Sequence, residues 1–386
     1  MGPSRWFAVG SEAGTDPDAG ARAAEQTLLH EDVKLLVVFC PPSEDLPRLL
    51  RAIRARCGAA PLIGCTTAGE IATSASGDAR VVVAALGGDG FAIRTAVGTD
   101  ASRDLRGAGE RAARCFDPDE KRPHRALLLL SDGLAGDQQK IVRGAHGVLG
   151  AEVPLVGGCA GDDLNMKRTF QFHNDRVVSD CVIGAGIASE APLGIGVRHG
   201  WRAVGKPMLV TASGGNRVHT LDDRPALEVY LERLGAARES LSAEELTTLA
   251  LTHPLGLSRP SGEEQVRLVN GGDYEERSLR CIAEVPQGAL VRIMEGDADS
   301  VLDATDAACE DSLAALEGRR PLGMLAFDCI ARRSVLGERR IETEISRLAA
   351  SAAGAPVAGF YTYGEIARTR GTLGFHNQTL VVLSIA

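Results

Sequence analysis

The sequence predicts a mixed α/β protein with two domains, in which strand–helix–strand units repeat and antiparallel strands extend them. Three observations lead to this fold class. An apolar run, a stretch with helical spacing and a second apolar run follow one another three times. A loop motif recurs directly after the last strand of these units. The length of 386 residues is typical of two domains.

The three units share one order of elements. Apolar runs of strand length cover residues 35–40, 126–130 and 323–327, and apolar residues then recur with helical spacing within 44–57, 141–148 and 338–350. Short strands follow at 61–64, 154–157 and 356–359. Runs that are apolar throughout suit strands covered on both faces, and the intervening helix suits a crossover between parallel strands. We therefore expect right-handed βαβ units.

Further strand-like segments follow each unit. We expect residues 80–86 to pair with 91–97 and residues 169–173 to pair with 177–187. The last strand-like segment covers residues 375–385. Asn174 and Asp175 suit a tight hairpin turn within the middle pair. Glycines punctuate residues 194–215, and no long linker marks the domain boundary. The sequence therefore predicts an N-terminal domain of residues 1–215, with units at about 30–100 and 120–190, and a C-terminal domain of residues 216–386.

Composition and charge restrict the function classes. A net charge of −9, with no run of Lys and Arg longer than three, argues against a nucleic-acid binder. The sequence lacks the uninterrupted apolar stretch of a membrane span, and its start lacks that of a secretory signal. The nine cysteines are an odd number without a Cys-x-x-Cys pair, which favours reduced thiols. These features predict a cytoplasmic protein without membrane insertion.

The recurring loop motif is Pro-x-x-Gly-x-x-Thr-x-Gly-Glu-Ile-Ala. Residues 61–72 and 356–367 carry it in full, and residues 154–162 carry a shorter copy that ends in Asp. Such loops lie beyond the carboxyl ends of strands, where α/β sheets bind ligands. The predicted ligand-binding residues on them are Thr67, Glu70, Tyr361, Thr362, Tyr363 and Glu365. A second interpretation stays open, in which each Glu caps a helix or pairs with a buried Arg and the loops are scaffold.

Histidines are the other candidates. The phrase Phe-His-Asn occurs at 172–174 and again at 375–377, and His376 joins the predicted ligand-binding set. A haem group needs an accessible axial nitrogen in an apolar pocket. His173, His199 and His376 are all eligible as axial ligands, and no spacing selects one of them.

The motifs together resemble the FIST family. Residues 64–71 and 156–163 resemble its N-terminal domain, while 294–297, 326–332, 359–366 and 375–380 resemble its C-terminal domain. The resemblance implies an intracellular sensory protein for small ligands, some members of which bind haem and signal nitric oxide to histidine kinases. A kinase or cyclase segment does not fit in this chain, so the resemblance implies a separate signalling partner.

Three functional predictions follow, one leading and two alternatives, and all three remain open. The leading one is a non-catalytic sensor that binds a small ligand, such as an amino-acid-like metabolite, between its domains. The alternatives are a haem-binding nitric-oxide sensor that regulates a histidine kinase and a thiol-dependent enzyme. The enzyme would use Cys65 or Cys159, because each follows a strand and precedes a carboxylate. No complete catalytic constellation is visible, so we predict no enzyme activity and no certain cofactor.

Overall fold

The predicted mixed α/β class is confirmed by the computed structural model, which describes residues 4–73, 80–117, 119–236, 241–258, 264–369, 371 and 373–386. The chain forms three similar units. A long segment is inserted into the third unit after its first strand. Each unit contains two parallel strands joined by a helical crossover, as the sequence predicts.

The elements of the first two units follow in chain order. Unit 1 contains β1 (Trp6–Glu12), α1 (Pro17–Glu25), β2 (Val33–Cys40), α2 (Leu46–Cys57), β3 (Leu62–Thr66), β4 (Glu70–Ala72) and β5 (Val81–Gly87). Unit 2 contains β6 (Phe91–Thr99), α3 (Leu105–Ala112), β7 (His124–Ser131), α4 (Gln138–Leu149), β8 (Leu155–Cys159), β9 (Gln171–His173), β10 (Arg176–Val178) and β11 (Cys181–Ser189).

Unit 3 begins with β12 (Leu193–Arg198), and the inserted segment follows it. That segment contains β13 (Arg202–Gly214), β14 (Arg217–Leu221), β15 (Arg224–Pro225), α5 (Ala226–Arg233), α6 (Ala243–Thr252), β16 (Leu255–Ser258), β17 (Glu264–Arg267), β18 (Val269–Asp273), β19 (Ser278–Cys281) and β20 (Leu290–Glu295). Unit 3 resumes with α7 (Ala298–Ala314), β21 (Gly323–Cys329), α8 (Ile330–Leu336), α9 (Glu338–Ser351), β22 (Val357–Thr362), β23 (Glu365–Arg368), β24 (Phe375–His376) and β25 (Leu380–Ile385).

Three of the four sheets repeat one strand order. They run β1-β5-β2-β3-β9-β10, β6-β11-β7-β8-β23-β24 and β12-β25-β21-β22-β4. The expected pairing of 80–86 with 91–97 is wrong, because β5 pairs with β1 and β2 while β6 pairs with β11 in another sheet. β5 and β6 each pair with antiparallel strands of their own unit, so the short connection between β5 and β6 links two different sheets.

The units exchange one strand in a cycle. The strand that follows each motif loop pairs with a strand of another unit instead of its own. Thus β4 of unit 1 pairs with β22 of unit 3, β23 of unit 3 pairs with β8 of unit 2, and β9 of unit 2 pairs with β3 of unit 1. Each repeated sheet therefore needs a strand from a neighbouring unit for completion.

The apolar runs alternate between two cores. In β2, Leu35, Val37 and Phe39 join a central cluster that all three repeated sheets share, while Leu36 and Val38 pack with α1 and α2. The same alternation holds in β7 and β21. Both faces of these strands are thus covered, as the continuous runs predict. The inserted segment has a separate core built around α5, α6 and its own strands.

Local interactions also shape the inserted segment. Ser242 forms the capping box of α6 with Glu245, and β13 and β14 form a hairpin. The predicted domain boundary at residue 215 falls in the turn of that hairpin and stays a prediction. Among the helices that the structure describes, none is both long enough and apolar enough to cross a membrane.

Candidate functional site

The three motif loops meet at the carboxyl ends of the parallel strands. We call residues 66–70, 159–163 and 361–365 the loop ring. Backbone N–H groups join each loop to a neighbour: Gly161 N donates to Thr66 O at 2.9 Å, Ala68 N to Tyr361 O at 3.0 Å, and Cys159 N to Gly364 O at 2.8 Å. These bonds bring the predicted residues of loops 66–70 and 361–365 into one region, although the two loops are almost 300 residues apart in sequence.

Two loops of the ring have the same internal hydrogen bonds. Thr67 Oγ1 donates to Glu70 Oε1 at 2.5 Å and accepts from Gly69 N at 3.3 Å. Thr362 Oγ1 donates to Glu365 Oε1 at 2.5 Å and accepts from Gly364 N at 3.1 Å. Both glycines have positive φ, 124° for Gly69 and 150° for Gly364, which favours glycine there. The shared motif therefore specifies a turn in which a threonine holds a carboxyl group.

The two glutamates differ in their surroundings. Glu365 is fully buried and also accepts from Thr379 N at 3.1 Å, and burial raises its pKa to about 8. Glu70 is only half-buried at the edge of the ring. Burial raises the pKa of Glu70 to about 7, while Thr67 and the guanidinium groups of Arg80 and Arg333 oppose this rise. Solvent can reach Glu70, whereas Glu365 lies inside the protein.

The third loop carries an ionised carboxylate. Asp162 accepts from the backbone N–H groups of Met166, Lys167 and Arg168 at 2.7–2.9 Å and from the Tyr363 hydroxyl at 2.5 Å. Burial works against ionisation, but the hydrogen bonds outweigh it and lower the pKa of Asp162. Tyr363 also accepts from Leu164 N at 2.8 Å. Tyr363 therefore ties the loop of unit 2 to that of unit 3.

Tyr361 leads into a buried ion network that the sequence reasoning missed. Its hydroxyl donates to Glu344 at 3.3 Å, and Arg332 pairs with Glu344 at 2.8 Å and with Asp328 at 2.6 Å. All four side chains are buried. The available signal was the spacing of Asp328 and Arg332, four residues apart directly after an apolar strand.

Arg333 is a second residue that the sequence reasoning missed. Its Nη1 donates to Ala68 O at 2.7 Å, and its guanidinium carbon lies 5.1 Å from the centroid of the Tyr361 ring. These two contacts place a cation beside Gly69 at the edge of the loop ring. Tyr361 thus positions Arg333 with its ring face and Glu344 with its hydroxyl.

The three candidate histidines lie in different environments. His173 Nε2 lies 3.0 Å from Thr95 Oγ1, and His376 Nε2 lies 2.9 Å from Ala367 O. His199 Nδ1 accepts from Trp201 N at 3.0 Å, so its ring is protonated at Nε2 when neutral. Burial, with smaller effects of His376 and Arg332, lowers the pKa of His199 to about 4. His199 is therefore neutral near pH 7 and keeps Nε2 for another contact.

These surroundings bear on haem binding. Two of the three histidines already use Nε2, and the third lies next to the polar groups of His376 and Arg332 instead of in an apolar pocket. A cavity of about 300 Å³ opens between Phe91, Phe116 and Lys34, where none of the three histidines lies. Across the described residues, no group of three or more His, Cys, Asp or Glu side chains could hold a metal ion.

Cys65 and Cys159 are fully buried. Burial raises the pKa of both thiols far above its usual value, and the neighbouring carboxyl groups of Glu70 and Glu365 raise it further. Ser131 Oγ donates to Cys159 Sγ at 3.2 Å. Both side chains are therefore thiols at neutral pH, whereas nucleophilic catalysis requires a thiolate.

Comparison with protein families gives two matches that together span most of the chain. The FIST N domain matches residues 34–224, and the FIST C domain matches residues 226–368. The chain belongs to the FIST family. FIST domains are small-ligand sensory domains in signalling, and the predicted two-domain organisation is confirmed. The strand exchange crosses the division between them, because β23 of the FIST C domain completes the sheet of β8 in the FIST N domain.

Relatives of this FIST protein are distant. It is 26% identical over 388 residues to the uncharacterized protein Rv0628c of Mycobacterium tuberculosis, covering 96% of this chain and 97% of that protein. It is 27% identical over 161 residues to the uncharacterized protein MJ1623 of Methanocaldococcus jannaschii, covering 39% of this chain and 31% of that protein. The match to Mb0898c of Mycobacterium bovis, at 27% identity, covers 58% of each chain.

Solved structures with some likeness include a chorismatase and a cyanuric acid hydrolase from A. caulinodans. The chorismatase has a TM-score of 0.37 at 13% identity, with 99% of this chain and 98% of that chain covered. The hydrolase has a TM-score of 0.36 at 10% identity, with 99% and 100% covered. TM-scores this low support no conclusion about fold or activity.

Proposed function

We propose that this FIST protein is a non-catalytic sensor that binds a small zwitterionic metabolite, such as an amino acid, at the edge of the loop ring around Glu70. One observation carries the proposal. Arg333 Nη1 donates to Ala68 O at 2.7 Å, two residues before Glu70, and the charges of Arg333, Arg80 and Asp163 all affect the pKa of Glu70. Among the described residues, however, neither arginine comes within the 4.0 Å of an ion pair with Glu70. The guanidinium groups of Arg80 and Arg333 thus affect the Glu70 carboxyl group without forming an ion pair with it.

The chemistry of this edge suits a ligand with one charge of each sign. Carboxylates such as Glu70 and Asp163 accept hydrogen bonds from an ammonium group, and a guanidinium binds a carboxylate through two parallel N–H groups. Arg333 is held from behind by Ala68 O and the Tyr361 ring. This support lowers the entropy that the arginine would lose on binding. Thr67 orients the Glu70 carboxyl group in the same way.

The other predicted ligand-binding residues would support the site instead of touching the ligand. Tyr361 positions Arg333, and Tyr363 holds the loop that carries Asp163. Thr362, Glu365 and Thr67 are buried, and His376 is the cross-strand neighbour of Glu365 on β24. A ligand at the Glu70 edge would touch units 1, 2 and 3 together. Its binding would favour one arrangement of the units and so alter the affinity for a signalling partner, for which a histidine kinase is one candidate.

Calorimetric titration with the common amino acids tests the proposal. We expect at least one to bind, and its N-acetyl and amide derivatives to bind at least about tenfold more weakly, because each blocks one charge. Glu70→Gln and Arg333→Gln should weaken binding by a similar factor. Arg340→Gln is the matched control, because Arg340 lies near Arg333 in sequence but pairs with Asp299 at the surface. Binding that is equal in all three variants would refute the site.

Haem binding at His199 is the second candidate function. His199 Nδ1 accepts from Trp201 N, which leaves Nε2 of this neutral ring as the form of imidazole that ligates iron, although the polar groups of His376 and Arg332 beside it do not form the apolar pocket that a haem group needs. Reconstitution with haem should then give a Soret band that His199→Ala abolishes and His173→Ala leaves unchanged. A protein that takes up no stoichiometric haem would exclude this function.

A further inference from the structure

The cavity of about 300 Å³ beside Lys34 lies where unit 1 meets unit 2, and we call it the β6 cavity. Residues of β6, β11 and the chain after α3 line it from unit 2, and Lys34 of β2 lines it from unit 1. Its described lining contains no residue of the loop ring. Ligand pockets have volumes of roughly 300–1,000 Å³, so the β6 cavity has the size for a small ligand.

The shortness of α3 explains why a cavity forms here. α3 packs closely on two glycines of the sheet: a Cβ on Gly98 would lie 2.0 Å from Ala108 O, and one on Gly184 would lie 2.1 Å from Ala112 O. The next residue on that face of β11 is Gly186, which lies beyond the end of α3. The corresponding helix of unit 3, α7, has 17 residues instead of the 8 of α3. Unit 2 therefore leaves part of its sheet without a helix over it.

Small and apolar residues form the floor of the β6 cavity. Ala92 and Ala188 are cross-strand neighbours, and Gly186 lies two residues before Ala188 on the same face. A Cβ at Gly186 would lie 3.1 Å from Cys115 Sγ and from the Phe116 ring. Burial raises the pKa of Cys115 to about 12, so this thiol is uncharged. The floor therefore favours an apolar group about the size of one ring.

The two acidic residues of the lining already have cationic partners. Asp117 pairs with Arg94 at 2.5 Å. Both carboxylate oxygens of Glu120 accept from Arg122 Nη1, at 2.9 and 3.0 Å. Because each of these carboxylates lies against a guanidinium group, the lining has little attraction for a cationic ligand.

Lys34 is the cation whose partners lie outside the β6 cavity. Its Nζ lies 2.9 Å from Asp32 and 3.5 Å from Asp89, whose side chains are 48% and 96% exposed. Ion pairs this exposed contribute little, so a carboxylate can take the place of Asp89 at low cost. β6 is also the last strand of its sheet and has no strand partner on its outer edge among the described residues. Such an edge presents backbone N–H groups, which are donors for a carboxylate.

We infer that the β6 cavity binds a small monocarboxylic acid with an apolar body. Its carboxylate would pair with Lys34, and its apolar body would lie against Phe116 and the small residues of the floor. The inference goes beyond the proposed function and does not depend on it, because a monocarboxylate lacks the ammonium group that the Glu70 edge would bind.

Calorimetric titration of the full chain with four probes tests the inference. Benzoate and 3-methylbutanoate have both an apolar body and a carboxylate, whereas benzamide lacks the charge and acetate lacks the body. We expect at least one of the first two to bind with a Kd below about 1 mM, and benzamide and acetate to bind at least about tenfold more weakly. The same acid should shift the amide resonances of Gly186 and Ala188 in a ¹H–¹⁵N spectrum.

Variants locate the binding. Lys34→Met should weaken binding of the acid at least about tenfold, because it keeps the length of the side chain and removes the charge. Ala92→Phe should abolish binding by filling the cavity. Lys121→Met is the matched control, because Lys121 is exposed and follows Glu120 in sequence but does not line the cavity. Lys34→Met keeps the test informative if Ala92→Phe does not fold.

Four outcomes would overturn the inference. One is that neither acid binds at concentrations up to about 10 mM. Another is that benzoate and benzamide bind equally, which would show that Lys34 makes no pair with the ligand. Binding that Ala92→Phe leaves unchanged would place the acid outside the cavity. Binding that Glu70→Gln removes and Lys34→Met does not would assign the acid to the loop ring. Failure of amino acids to bind at Glu70 would refute the proposed function and leave the result for the β6 cavity unaffected.

Discussion

At the scale of single residues, burial separates two carboxyl groups that have the same sequence motif. Glu70 and Glu365 each accept a hydrogen bond from a threonine three residues earlier. The solvent-accessible Glu70 has a pKa raised to about 7 and the enclosed Glu365 one raised to about 8. Desolvation penalises the charged form, and the hydrogen bonds only partly compensate it. The motif therefore supplies the threonine that donates to each carboxyl group, and burial in the fold decides how far the pKa of that group is raised.

The raised pKa of Glu365 predicts a pH dependence of stability. The folded state binds this proton more tightly than the unfolded chain, where the pKa is near 4.5. The stabilisation is complete below about pH 4.5 and is lost as the pH rises through about 8. Replacing Glu365 with Gln removes this dependence. Between pH 5.5 and 8.5, the free energy of unfolding of the wild type should therefore fall by roughly 1–3 kcal/mol relative to that of Glu365→Gln.

Urea unfolding at several pH values measures this difference. Glu232→Gln serves as the control, because Glu232 lies at the surface in an ion pair with Arg224 and ionises well below this range. The difference in unfolding free energy between wild type and Glu232→Gln should stay constant over this pH range. An equally constant difference between wild type and Glu365→Gln would show that Glu365 ionises normally in the folded protein.

At the scale of elements, the loop after β8 differs from its two counterparts. The connection from β8 to the next strand, β9, is longer than its counterparts, its motif has Asp162 in place of Glu, and Asp163, Leu164 and Met166 adopt positive φ values of 53–61°. Such conformations are unfavourable for residues with a side chain. The hydrogen bonds that Asp162 accepts from residues 166–168 and from Tyr363 offset this cost.

Removing the Asp162 carboxylate should therefore loosen the loop. We expect Asp162→Ala to lower the free energy of unfolding by about 2 kcal/mol or more, because several backbone N–H groups lose their acceptor. The amides of residues 166–168 should exchange with deuterium at least about tenfold faster. Tyr363→Phe removes one of these bonds and should cost about 1 kcal/mol. Equal exchange rates in wild type and Asp162→Ala would show that the loop is held by other contacts.

At the scale of the whole molecule, the exchange of β4, β9 and β23 joins the three units into one cooperative structure. A repeated sheet without its exchanged strand exposes a strand edge and part of the shared central core. The inserted segment contributes a separate core and returns close to its starting point, because Arg202 in β13 lies opposite Glu295 in β20. Deleting the inserted segment should therefore disrupt the rest of the fold less than deleting one of the three units.

Two shortened chains test this organisation. Residues 1–215 alone lack β23 and all of the third unit except β12, so we expect them to unfold without cooperativity or to aggregate. A chain in which a short glycine–serine linker replaces residues 203–294 keeps all three units and should unfold cooperatively in urea. Cooperative unfolding of residues 1–215 as a monomer would show that the exchanged strands are dispensable.

Local and periodic features of this protein could be predicted from the sequence. The runs at 35–40, 126–130 and 323–327 became strands covered on both faces, and a helical crossover joins the parallel strands of each unit. The motif loops were also correctly placed after their strands. These features depend on residues a few positions apart, so the chain determines them by its own spacing.

Only the tertiary structure decided which distant residues meet. It placed β4 next to β22, set Arg332 between two buried carboxyl groups, and left Glu70 at an edge while enclosing Glu365. Strand partners and desolvation depend on groups hundreds of residues away, and a repeated motif carries the same letters in every copy. The sequence by itself thus determined the units and their loops, and the tertiary structure decided which loop faces solvent and which ends in a buried network.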